Sequence, residues 1–67
     1  MKEFAEKLKE LRNEKGLTQM QVAQATGLSH TAIVNWENAL RVPNANAVVI
    51  LAKFYGVTTD YLFGMEN

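Results

Sequence analysis

Apolar residues recur along this chain at helical spacing, and residues with capping chemistry fall between the periodic runs. Residues 2–15 carry Phe4, Leu8 and Leu11 at i, i+4, i+7, with Lys and Glu on the other face and Gly16 placed to stop a helix. Thr18-Gln19-Met20-Gln21 has the form of a capping box, and Leu17 and Val22 stand where a hydrophobic staple needs them. This second helix runs to about Thr26, and Gly27 can take the left-handed conformation that ends it. Ser29 caps a third helix, with Leu28 and Ile33 again at staple positions. Asn44 caps a fourth, closed by Gly56, and Thr58 opens a short fifth with Asp60 at the positive end of its dipole. No segment alternates with period two for long enough to make a strand. The pattern predicts an all-α fold of five helices.

Helices two and three are joined by about three residues around Gly27, the spacing of a helix-turn-helix. In helix three Ala32, Ile33 and Trp36 point inward against Val22 and Ala23. His30, Thr31, Val34, Asn35 and Asn38 form one continuous stripe on the opposite face. From Thr18 to Trp36 there is no Lys, Arg, Asp or Glu, although the chain is 21% charged. A stripe of short neutral donors and acceptors suits the edges of base pairs in a major groove. Asn can bond adenine twice, His and Thr can donate or accept, and Val34 can meet a thymine methyl.

Composition narrows the alternatives. The chain has 67 residues, which predicts one domain spanning residues 1–67. A domain of that size buries only about 60% of the surface its unfolded chain exposes. It contains no cysteine, so neither disulfides nor thiolate metal sites are available. The longest apolar run, Ala47 to Ala52, is too short to span a bilayer, and the N-terminus lacks the shape of a signal peptide. The expectation is a soluble, cytoplasmic protein without a membrane partner. Formal net charge is zero, which argues against a generic polyanion binder. An enzyme is disfavoured too. The one histidine has no second metal ligand at helical spacing, and Ser29 is its immediate neighbour, so nucleophile and base do not face each other. No phosphate loop or dinucleotide fingerprint is present. No catalytic residue, metal or cofactor is expected.

The stretch GLTQMQVAQATGLSHTAIVNWEN, followed by Arg41, Pro43 and LAKFYGVTTDYLFG, resembles the Cro/repressor-type (Xre-like) helix-turn-helix family. The resemblance runs from Leu11-Arg12 to Gly64. It implies a compact five-helix, lambda-repressor-like domain that binds double-stranded operator DNA as a homodimer. By position it makes helix three the recognition helix, with His30, Thr31 and Asn35 as base readers. It assigns Gln19 to a phosphate or base, and Asn38 and Arg41 to the DNA backbone. Arg12 and Glu37 match a partly buried ion pair bracing helix one against helix three. Thr59, Tyr61, Leu62 and Phe63 are the expected dimer contact by analogy; Phe63 and Met65 fit core closure and dimer surface equally.

A neutral interface can still hold phosphates. Orphan N–H groups at the starts of helices two and three, at Thr18 and Ser29, bind anions with the help of the helix dipoles. Neutral side chains add hydrogen bonds. The salt slope should then be shallow, on the order of two to four phosphates neutralised per subunit.

The chain departs from the family in several places. Ala39 and Leu40 stand where many members have Gly and Lys, Ala45 where a large apolar residue is common, and Ile50 where Lys is usual. Ala45 is expected to leave the core underfilled, and Leu40 and Ile50 to leave apolar surface exposed. The rival reading is a protein-interaction module that uses the same fold to bind a partner protein. Ending just after helix five, the chain leads one to expect no attached effector or oligomerisation domain; a piece of a longer chain fits as well.

Overall fold

The computed structural model describes residues 2–66. Five helices order them: α1 (Lys2–Glu14), α2 (Gln19–Thr26), α3 (His30–Glu37), α4 (Ala45–Tyr55) and α5 (Thr59–Leu62), with no strand among the described residues. Each of the last four begins on the side-chain cap its sequence offers. The oxygens of Thr18, Ser29, Asn44 and Thr58 accept from the N–H groups of Gln21, Ala32, Ala47 and Tyr61. At α2 the box is reciprocal: Gln21 N–H donates to the Thr18 hydroxyl at 3.1 Å, and Thr18 N–H donates to Gln21 Oε1 at 2.8 Å. Such a cap contributes about 1 kcal/mol.

The helix ends share one device. After α1, α4 and α5 a glycine takes a left-handed φ: Gly16 at 67°, Gly56 at 69° and Gly64 at 73°. In each case the glycine's own N–H and the one after it close back onto the last turn, as in Gly56 N–H to Lys53 O and Val57 N–H to Ala52 O. The end of α3 has the same bonds, Ala39 N–H to Trp36 O and Leu40 N–H to Asn35 O. There the left-handed residue is Ala39, at φ 58°, the single non-glycine with positive φ among the described residues.

One apolar core gathers the inward stripe of every helix. Phe4, Leu8 and Leu11 of α1 meet Val22 and Ala23 of α2 and Ile33 and Trp36 of α3. Val48, Leu51 and Tyr55 of α4 and Leu62 of α5 close it. Burial of each large side chain is worth roughly 1.5–3 kcal/mol, so α5 is held by packing rather than by its own single turn. Leu62 is completely buried (0% exposed). That corrects its expected place in a dimer contact, because it has no surface to offer a partner. Phe63 is half-buried and stacks on Phe4 with ring centroids 5.5 Å apart, whereas Met65 is exposed.

Ala45 is exposed rather than facing the core, and it lines an open groove of about 410 Å³ with Pro43, Val48, Val49, Thr59 and Phe63. Leu40 is exposed as expected, but Ile50 is half-buried.

Candidate nucleic-acid interface

The turn Gly27-Leu28-Ser29 sets α3 across α2, and packing of Ile33 and Trp36 on Val22 and Ala23 fixes which face of α3 turns outward. His30, Thr31 and Asn38 are exposed on that face, and Val34 and Asn35 are half-buried beside them. Thr18, Ser29 and Arg41 are also exposed. The two capping hydroxyls use a lone pair on the helix N–H, which leaves each O–H proton to donate outward. Next to each cap, the first N–H groups of α2 and α3 have no intrahelical partner.

Charge is distributed so that this face is nearly bare. Between Lys15 and Asp60 the charged residues are Glu37, Arg41 and Lys53 only. The acid of the three is hidden: the Glu37 side chain is 2% exposed, and that of Arg12, which covers it, 16%. Arg12 Nε donates to Glu37 Oε2 at 2.8 Å and Arg12 Nη2 to Glu37 Oε1 at 2.9 Å, a bidentate fork. Arg12 Nη1 donates to the Leu17 carbonyl at 2.9 Å, which ties the α1–α2 turn into the same knot. Hydrogen bonding to Glu37 pushes the Arg12 guanidinium above its ordinary range, against the opposing pull of desolvation. Burial, aided by the Glu37 charge and opposed by that of Arg12, pushes the Tyr55 hydroxyl up to about 12.

Gln19 has a partner that sequence reasoning did not supply: its Nε2 donates to Glu37 Oε1 at 3.2 Å, which ties the start of α2 to the buried ion pair. The second amide N–H of Gln19 and its backbone N–H, at the first position of α2, remain free to donate. Sequence reasoning also passed over Val42. That side chain is 75% exposed and forms, with Arg41, one wall of a depression of about 300 Å³ alongside α3. Ser29, Thr31, Ala32, Asn35 and Trp36 form the other wall.

Of the expected dimer residues, Thr59 is half-buried at the α4–α5 groove, and Tyr61 is half-buried with Lys7 Nζ 4.7 Å above its ring. No helix among the described residues is long and apolar enough to cross a membrane.

Comparison with known proteins agrees with this architecture. A family model described as Helix-turn-helix matches residues 8–62. The HTH-type transcriptional activator BcrR of Enterococcus faecalis is 44% identical over 65 residues, covering 97% of this chain and 32% of that protein. The HTH-type transcriptional regulator ImmR of Bacillus subtilis is 33% identical over 64 residues, covering 96% of this chain and 50% of that protein. The Cryptic phage CTXphi transcriptional repressor RstR of Vibrio cholerae is 37% identical over 54 residues, covering 81% of this chain and 49% of that protein. The chain therefore spans between about a third and a half of the length of these relatives.

Proposed function

This chain belongs to the helix-turn-helix family, and from that membership we propose that it regulates transcription by reading a short operator with α3 in the major groove. A helix with its side chains is about 10–12 Å across and the major groove of B-DNA about 12 Å wide, so α3 fills the groove and brings its outward stripe to the base edges. His30, Thr31 and Asn35 are the hydrogen-bonding readers, and Val34 is the apolar one. The cap hydroxyls of Thr18 and Ser29, the backbone N–H of Gln19, the Asn38 side chain and Arg41 hold phosphates. The observation that carries the reading is the pairing of an acid-free polar stripe on α3 with a buried, neutralised Glu37 beneath it. An exposed carboxylate there would repel the backbone on both sides.

We further propose a homodimer on a two-fold symmetric operator, with half-sites about 34 Å apart. Thr59, Tyr61 and Phe63 are the contact, and Leu62 is excluded by its burial. A body of 28 × 23 × 19 Å on each half-site leaves the two copies within reach of each other. The named relatives include an activator and a repressor. Repression is the reading that requires least, since a domain seated on a promoter blocks it by occupancy. Such a protein works in the cytoplasm, beside the DNA.

Selection from a random pool of DNA duplexes tests this, run at about 50 mM and about 200 mM salt. A two-fold symmetric consensus is expected at both. If neither salt enriches any sequence, the motif is a protein-binding surface and the proposal fails.

A further inference from the structure

Between about pH 5 and pH 8, histidine is the side chain that ordinarily changes charge. This chain has one histidine, His30, and no cysteine. His30 is the first residue of α3 and is exposed on the face assigned to base edges. Its surroundings are poor in charge. The helix before it, α2, carries no charged residue, and α4 has Lys53 alone, in its last turn. From α1, Arg12 reaches α3 at Glu37, about two turns or roughly 10 Å along the axis from His30. That is the one ion pair among the described residues, so His30 forms none. The loop after α3 supplies Arg41, which lines one depression with Ser29 and Thr31, the residues on either side of His30. Arg41 is charged throughout this range and adds no pH dependence of its own.

Protonation changes what this ring can read. A neutral imidazole has one N–H donor and one bare nitrogen that accepts; protonated, it has two donors and no acceptor. In the major groove guanine presents two acceptors, whereas cytosine presents a donor and adenine one of each. Thr31 and Asn35 keep both donor and acceptor groups at every pH. The duplex also favours the positive ring, since it carries one phosphate charge per about 1.7 Å of its axis. Resting on the proposed reading of DNA by α3, we infer that His30 makes operator recognition proton-dependent. Each subunit takes up a proton at this ring on binding, which strengthens the complex as pH falls and turns the position it reads toward guanine. The bound ring then holds its proton to a higher pH than the free ring. The gain is complete on the acid side of the imidazole range and is lost as pH rises through the value of the bound ring. From Gly16 to Ala52 the other cation is Arg41 alone, so one added charge is a large part of the electrostatic attraction on this face.

The test measures affinity for the consensus duplex recovered from the random pool, from about pH 5.5 to about pH 8 at fixed salt. An opposite charge nearby moves a titrating group by about one unit or more, and one unit is tenfold in affinity. Affinity per subunit should therefore be on the order of tenfold higher at the acid end, with a salt slope steeper by about one. Selection repeated at both ends should shift one position of each half-site toward guanine at the acid end only. His30→Gln, neutral at every pH, should bind with a flat profile. His30→Arg, positive at every pH, should keep the stronger binding and the guanine preference throughout. Because His30 is exposed, both variants should match the parent's circular dichroism. In NMR spectra the His30 ring protons should titrate at higher pH in the complex than in the free protein. A flat profile, or the same base selected at both ends, in a parent that still binds its consensus would overturn the inference and leave the DNA reading standing. A pH dependence that survives in His30→Gln would overturn it as well. Should the parent enrich no sequence at any pH, the DNA-binding reading itself falls, and this inference with it.

Discussion

Ala39 is the most informative single position for stability, because the molecule contains its own control. Four helix ends close with the same pair of hydrogen bonds around a left-handed residue, which is Gly16, Gly56, Gly64 or Ala39. An L-residue in that conformation costs roughly 1–2 kcal/mol, because its Cβ crowds the following carbonyl. Glycine removes that cost but loses more backbone freedom on folding, an offset of about 0.5–1 kcal/mol. Ala39→Gly should therefore stabilise the fold by about 0.5–1 kcal/mol. For a domain of this size that is roughly 2–8 °C in the unfolding midpoint. Gly56→Ala is the mirror experiment. A Cβ there meets nothing within 4 Å, so the change should cost a similar amount through φ alone. Thermal unfolding followed by circular dichroism measures both, and the double variant should return close to the parent. A destabilised Ala39→Gly, beside a Gly56→Ala that loses stability as expected, would refute the claim that α3 ends under strain.

Other consequences are tested in the same way. Arg12→Leu leaves Glu37 buried with only the 3.2 Å bond from Gln19, and should cost about 3–5 kcal/mol, most of the stability of so small a domain. The double change Arg12→Leu, Glu37→Leu should recover most of that loss in urea unfolding; failure to recover would mean that the pair contributes more than charge compensation. Tyr55 is held protonated by burial up to about pH 12, against an ordinary value near 10. The unfolded chain loses that proton first, so this contribution is complete below about pH 10 and disappears as pH rises toward 12. Thermal midpoints should fall across that range in the parent and less steeply in Tyr55→Phe. Asn35→Ala should lose about 1–3 kcal/mol of discrimination at one position of each half-site while leaving the unfolding midpoint within a degree or two, as selection on the variant would report.

Much of this structure is legible in the sequence because it is decided locally. Thr18, Ser29, Asn44 and Thr58 are caps by residue type and spacing, and Gly27 and Gly56 end helices by being the residues that tolerate a left-handed φ. The outward stripe on α3 follows from period alone once Ile33 and Trp36 are taken as inward. What resists reading is decided by neighbours distant in the chain. Gln19 looks like a free first-turn amide until Glu37, 18 residues on, is seen to accept its hydrogen bond. Leu62 and Phe63 are adjacent apolar residues of α5, and only the position of α1 determines that the former is interior and the latter stacks on Phe4. Val42 carries no motif at all, and its place beside Asn35 depends on how the loop after Ala39 turns back along α3.

The central claim is that a nearly uncharged surface grips DNA through helix N-termini and neutral hydrogen bonds. The slope of log affinity against log salt, measured on the selected consensus duplex, tests that most directly. A shallow slope, equivalent to about two to four phosphates neutralised per subunit, is predicted. A slope near ten per subunit would mean that counterion release dominates and would contradict the account.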